Sequence, residues 1–177
     1  KEDEAAVVHW GVFLLLLSAG LVLAGLRSEP RTWWAFNGAN LLALLAFMVM
    51  RRGVELFFRQ PPSDGEQLAM LAAVGSTIAL VGTGPSGSGW RILLSYVGFG
   101  YVMVRLIANV RMPVRAEFGR AVWLAVVVPG VVIVLLLVLL AARQAMSLGA
   151  PQEMHGAAGA ELGLMPLYLF GSALFNF

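Results

Sequence analysis

The chain has no cysteine. Thiol catalysis, disulfides, iron–sulfur clusters and cysteine-based metal sites are therefore excluded, and redox chemistry gives no reading of the compartment. Charge is scarce as well, at 12% of the 177 residues, where a soluble domain carries about a quarter. With 59% hydrophobic residues and a mean hydropathy of +0.82, there is too little polar surface to wrap a soluble globule, and the composition is that of a membrane protein. The excess of 12 basic over 10 acidic residues is too small to point to nucleic acid.

Histidine is limited to His9 and His155, too few for a multi-haem cytochrome. Ionisable residues are also missing from the middle of the apolar runs: no Asp, Glu or Lys is central, and Arg105 is close enough to one boundary to snorkel. Ion-coupled transporters and proton pumps need such groups at the midplane, so that class is disfavoured. Nor can a serine protease be assembled, because Ser76 and Thr77 have no histidine near their depth. No catalytic residue, metal site or cofactor is expected, and the chain reads as a non-enzyme.

What is present is a series of apolar runs, each near the roughly 20 residues that cross a bilayer. Six spans are expected, at about 6–26, 33–50, 67–84, 90–109, 121–142 and 157–177. The last is weaker, holding Glu161, several glycines and Pro166, and "PSGSG" at 85–89 reads as the turn of a hairpin between the third and fourth. The fold class is thus all-α, a polytopic transmembrane bundle forming one integral membrane domain over 1–177.

Arginine placement orients it. With the amino end inside, Lys1, Arg51, Arg52, Arg59, Arg105, Arg111, Arg115 and Arg120 lie on the inner side, against Arg27, Arg31, Arg91 and Arg143 outside. The excess on one side satisfies the positive-inside tendency and puts both ends in the cytoplasm. In that topology His9 and His155 lie on opposite sides and cannot share a metal. His9 beside Trp10 reads as a headgroup-level anchor, and His155, near Glu153 and Glu161, as an interfacial histidine before a metal ligand.

Neutral polar residues remain. Asn37, Asn40, Tyr96 and Tyr101, rimmed by Trp33, Trp34 and Trp90, read either as an aromatic belt with interhelical hydrogen bonds or as an outward pocket for an apolar small molecule. Pro129 and Gly130 are expected to bend the fifth helix. The small residues Ala72, Gly75, Ala79, Gly82 and Gly84 give the third helix a close-packing face, with the Ser76 and Thr77 hydroxyls bonded to a neighbouring helix. "RRGVELFF" at 51–58 reads as a helix end capped by Gly53, then an in-plane amphipathic piece whose arginines meet lipid phosphates.

"LRSEPRTWWAFNGANLLALLAFMVMRRGVELFFRQPP" at 26–62 and "LFGSALFNF" at 169–177 together resemble the multi-helix membrane regions that precede GGDEF-type diguanylate cyclase domains in bacterial signalling proteins. The matching positions are Asn40, Arg52, Gly53, Phe58 and Asn176. The resemblance implies a multi-pass sensory domain in the bacterial inner membrane, lipid-contacting and homodimeric, that controls a cytoplasmic cyclase making cyclic di-GMP. It also implies that the chain is a piece of a longer protein, with "KEDEAAVV" unlike a signal peptide and the output domain following 177. Signal transmission is then expected through Arg52, Gly53, Phe58, Pro129, Gly130, Pro166 and Asn176, the last by a hydrogen bond across the dimer or to a neighbouring helix. The alternatives are an accessory subunit of a larger membrane complex and, less favoured, a small transporter.

Overall fold

The computed structural model describes residues 2–27, 32–81 and 85–148. Among them all regular structure is helical. Helix α1 (Glu2–Gly25) carries Glu4 in its first turn, whose charge complements the positive end of the helix dipole. It is apolar around its circumference, which leaves Val7, Val8, Leu15 and Val22 exposed while Phe13 and Leu17 are buried. A π-turn, Trp34–Gly38, runs into α2 (Ala39–Phe57) without a break. Here α1 and α2 lie backbone to backbone: a Cβ on Gly20 would stand 3.3 Å from the Ala39 carbonyl oxygen and 3.6 Å from the Ala43 nitrogen.

Helix α2 does not stop at Gly53. It continues through Arg51, Arg52 and Gly53 and closes six residues later, where Arg59 takes the left-handed conformation (φ +51°). The Gln60 amide donates to the Glu55 carbonyl (2.8 Å) and the Arg59 amide to that of Leu56 (3.1 Å), the paired bonds of a Schellman stop with arginine in the usual glycine place. Pro61 and Pro62 follow and prevent resumption. Gly53 serves a different purpose, since a Cβ there would fall 2.7 Å from the Trp10 ring. The in-plane amphipathic piece expected over 51–58 is therefore the last turns of α2, and Arg51 is buried in protein, away from lipid phosphate.

A short helix α3 (Asp64–Met70), a second π-turn (Leu71–Gly75) and α4 (Ser76–Leu80) form one rising segment. Gly75 packs there as expected of a small-residue face, with a Cβ meeting Leu71 and Leu41 at 3.4 and 3.5 Å. The Thr77 hydroxyl, expected to bond another helix, donates instead to Ala73 on its own (2.7 Å).

Helix α5 (Pro85–Leu148) is a hairpin of two helical arms, 85–118 and 120–148, that reverses at Gly119 (φ +81°, ψ −177°). Gly89 faces Leu148 and Gln144, and Gly130 faces Ile107, so the arms run antiparallel from that point. "PSGSG" does not form a free turn, because Pro85 opens the helix, a position where its missing N–H has no cost. The arginine-rich stretch 105–120 is helical up to the reversal, and the backbone keeps helical angles through Pro129 and Gly130. The second, fourth and fifth expected spans lie on helical segments, the fourth and fifth both on α5, and the first is helical up to the turn at Leu26; the third is helical over 67–80, and its end at 82–84, like the sixth span, lies outside the described residues. Two of the described helices, over Glu4–Gly25 and Gly87–Leu148, contain runs long and apolar enough to cross a membrane.

The core joins three elements. Phe47 on α2 meets Phe13 of α1 and Phe99 of α5 edge to face, at 5.7 and 5.4 Å between centroids, and Leu44, Met48, Val102, Met103 and Leu137 close around them. Edge-to-face rings add about 0.5–1.5 kcal/mol each beyond their buried area.

Candidate functional site

Two polar constellations sit toward opposite ends of α2, with the aromatic core between them. The end nearer Asn37 is built from indole, amide and carbonyl groups together with Arg27 and Arg91. Helix α4 ends at Leu80, where the Val81 amide closes on Thr77 and Ile78, so the carbonyls of Ala79 and Val81 lie beyond its last backbone bond. The Trp33 indole donates to Ala79 (3.1 Å) and the Asn37 amide to Val81 (2.9 Å), which fastens α4 to the π-turn before α2. Arg27 reaches over from the end of α1, its Nε donating to Ala35 (3.0 Å) and its Nη2 standing 3.5 Å from Asn40 Oδ1. Phe36 lies beneath two guanidinium groups, those of Arg27 and Arg91, each within 5.4 Å of its centroid. Asn37 is wholly buried, and its Oδ1 has no hydrogen-bond partner among the described residues.

The other end carries charge. Arg51 and Glu55, one turn apart on α2, are both fully buried. Arg51 Nε faces Glu55 Oε1 at 3.2 Å and its Nη1 donates to Glu66 (2.8 Å). Glu55 further accepts from the Ser63 backbone N–H (3.3 Å) and hydroxyl, from Asn109 (3.1 Å) and from Arg52 (3.4 Å). Arg52 also reaches Asp64 (3.1 Å). On α3, Glu66 gathers donors from two elements: Arg51, the Tyr101 hydroxyl (2.8 Å), and Arg105 through both Nε (2.7 Å) and Nη2. Gln60 donates to the Asn109 carbonyl (2.8 Å). Arg51, Gln60, Ser63, Glu66, Arg105 and Asn109 thereby line an open polar pocket of about 460 Å³.

The electrostatics follow from the geometry. The hydrogen bond from Arg105 is the largest influence on Glu66. Aided by Arg51 and Tyr101 against the opposing effect of burial, it pulls the carboxyl from 4.5 down to about 2. Glu55 is buried without such exposure, and a buried carboxylate is tolerated only when paired and fully hydrogen-bonded, which its ring of donors provides.

The sequence-expected pocket residues do not form one site. Trp33, Trp34, Asn37 and Asn40 share the Asn37 end, with the Trp33 and Trp34 rings edge to face at 4.8 Å. Tyr96 is in the core, Trp90 is exposed, and the Tyr101 hydroxyl belongs to Glu66. Tyr96 and Tyr101 instead border an apolar cavity of about 490 Å³ between the two arms of α5. Of the expected transmission residues, Arg52 is in the charged network, Gly53 packs on Trp10, and the Phe58 ring touches Phe57 and Phe118 beside the reversal. Gly130 lets the α5 arms meet, a Cβ there standing 3.0 Å from Ile107. Pro166 and Asn176 lie outside the described residues, as does His155. His9 donates through Nδ1 to the Ala5 carbonyl one turn back (2.7 Å). Among the described residues no three metal-ligating side chains come together.

The chain matches no known family model, no curated protein and no solved structure.

The residues that sequence reasoning missed are Arg51 as a buried group, Glu55, Glu66, Ser63 and Asn109. A signal was present in "RRGVE", which places Arg51 and Glu55 at i and i+4, the spacing of a helical ion pair. It was masked by reading Gly53 as a cap.

Proposed function

We propose that this chain is a multi-pass domain of the bacterial cytoplasmic membrane that transmits a signal to a cytoplasmic output domain, in the first place a diguanylate cyclase. The resemblance of residues 26–62 to such regions motivates the reading. The observation that carries it is the charged network, in which α2, the 60–66 segment, α3 and the first arm of α5 are tied by ion pairs and hydrogen bonds around the buried Arg51–Glu55 pair. By arginine distribution this is the cytoplasmic end of a six-span bundle. We read this network as the element whose arrangement a ligand biases. In a homodimer, a shift of helix ends by an ångström or two is enough to move paired output domains.

The reading is tested by joining the chain through residue 177 to a diguanylate cyclase domain in a bacterial host and measuring cyclic di-GMP. Reporter fusions at 60 and 84 read the orientation in parallel. Arg51→Leu and Asn176→Leu are expected to change the cyclic di-GMP level at equal expression. Output equal to that of an unregulated membrane-tethered cyclase in every variant would remove the sensory reading, and fusions reporting 60 outside would remove the topology.

A further inference from the structure

The apolar cavity of about 490 Å³ between the arms of α5 is an open groove, and every residue that lines it belongs to α5. No other described helix covers it. The lining residues recur at alternating spacings of four and three, from Leu93 to Val104 on the first arm and from Val134 to Ala145 on the second. That is the spacing of a coiled-coil seam. It is presented twice, side by side, and a third helix completes it by laying its side chains between the two rows. Val97, Val104 and Val138 stand exposed along the groove. At one end the walls are small, with Ala141, Ala142 and Ala145; further along, a Cβ on Gly100 would meet no atom within 4 Å, which leaves a notch for a larger side chain.

The chain itself carries a segment of matching chemistry. The second arm ends at Leu148 beside Gly89, and the apolar run 157–177 follows after a connection of only eight residues, 149–156, that includes Gly149 and Pro151. A connection that short joins antiparallel neighbours. A helix begun at 157, level with Leu148, advances about 1.5 Å per residue, in step with the first arm from Gly89. Ala142 then falls level with Gly163, so the alanine walls meet Gly159, Ala160 and Gly163, small residues that let helices approach closely. Gly100 falls level with Tyr168, so the notch meets the bulkiest part of the run, Leu167 to Phe170. Pro166 is of a kind that spanning helices tolerate.

We propose that this groove is the seat of residues 157–177, packed antiparallel to the second arm of α5. Tyr101 then joins two sites, because its ring lines the groove while its hydroxyl donates to Glu66, and the seated segment rests against the charged network. The regulatory meaning of that contact rests on the multi-pass sensory reading above. Seating is measured by crosslinking, and that reading by the fusions and cyclic di-GMP, so each can fail alone.

The chain has no cysteine, so introduced cysteines report without background. Ala142→Cys is combined in turn with Leu162→Cys, Gly163→Cys, Leu164→Cys and Met165→Cys, consecutive positions that sample every face of a helix, in the whole chain in phosphatidylcholine nanodiscs oxidised with copper phenanthroline. Leu139→Cys, exposed on the same arm but outside the groove, replaces Ala142→Cys in the control. A disulfide within one chain is expected, formed severalfold faster from 142 than from 139 and with the partners on one face only. Gly100→Phe fills the notch and should slow it severalfold, whereas Gly100→Ala, which leaves room and guards against a folding defect, should change it little. Disulfides formed only between chains would assign the groove to a second copy, and equal rates from 142 and 139, or no disulfide from either, would leave it to lipid acyl chains. Any of these results overturns the proposal, as does a rate unchanged in Gly100→Phe.

Discussion

Replacing Glu55 with leucine is the most searching perturbation of the charged network. The side chain is fully buried and accepts hydrogen bonds from Ser63 and Asn109 while facing both Arg51 and Arg52. Leucine fills similar volume but removes the buried ion pair to Arg51 Nε and leaves that guanidinium held by Glu66 alone. Removing one partner of a buried ion pair costs about 3–5 kcal/mol, whereas an exposed pair is worth about 1 kcal/mol or less. Arg51→Leu is expected to cost a similar amount, because it strands Glu55. In the double variant both charges are gone, and Ser63 and Asn109 line the polar cavity, where water can satisfy them. The double change is therefore expected to cost less than the two single costs added together by at least about 2 kcal/mol, within the coupling range of contacting groups. Reversible unfolding in mixed detergent micelles gives all four free energies. A loss below about 1 kcal/mol for Glu55→Leu, or simple additivity in the cycle, would refute the claim that the pair is buried and mutually dependent.

Other outcomes follow from single contacts. Gly53→Ala puts a methyl 2.7 Å from the Trp10 ring and 3.1 Å from His9 Cβ and is expected to cost about 1–3 kcal/mol; adding Trp10→Ala should recover part of that loss in the same unfolding assay. Gly119→Ala meets no atom within 4 Å, so its expected cost of about 1–3 kcal/mol is backbone strain alone at a φ of +81°. Gly100→Ala, also in open space but within the helical arm, should be neutral or stabilising by up to about 1 kcal/mol. Asn37→Leu removes the donor to the Val81 carbonyl and is expected to destabilise by about 1–2 kcal/mol, with faster hydrogen exchange over 76–81. Glu66 has a folded value of about 2 against an ordinary 4.5. Its contribution is complete above pH 4.5 and is lost as pH falls from there through about 2. The stability difference between wild type and Glu66→Gln should stay constant above pH 5 and shrink across that window.

Helix content was legible in the sequence because it rests on long apolar runs and on their interruption by proline and charge. Helix ends were less so. The stop after α2 was assigned to Gly53, since glycine is the residue that most often takes the left-handed position; the structure gives that position to Arg59, followed by two prolines. Gly53 answers a tertiary demand, room for the Trp10 indole, which no local pattern reveals. The same error hid the site. With the helix ended at Met50, Arg51 and Glu55 fall in an interfacial loop where charge is unremarkable; with the helix continued they share a face and are drawn inside. Tyr101 was grouped with the asparagines as a neutral polar residue, and only the packing of α5 against α3 assigns its hydroxyl to Glu66.

The two polar constellations differ in a way that bears on which end can change state. At the Asn37 end, indole and amide donors are spent on the carbonyls of Ala79 and Val81, and breaking them releases α4 from the start of α2 and strands the buried Asn37 side chain. At the Glu55 end, the acceptors are carboxylates with several donors each, and one of them, Glu66, is partly exposed beside a polar cavity. Loss of one bond there is compensated by the remaining donors and by water, which reaches the partly exposed Glu66. Rearrangement is therefore expected at the charged end, with the Asn37 end as the fixed point. Because α5 spans both, with Arg91 near one and Arg105 near the other, a release of Glu66 acts on the helical arm that leads to the reversal at Gly119. Site-directed spin labels at exposed Met112 and Leu80 should report this asymmetry in Glu66→Gln. A broadened distance to α2 is expected from the label at 112 and an unchanged one from the label at 80, and broadening at 80 alone would reverse the assignment.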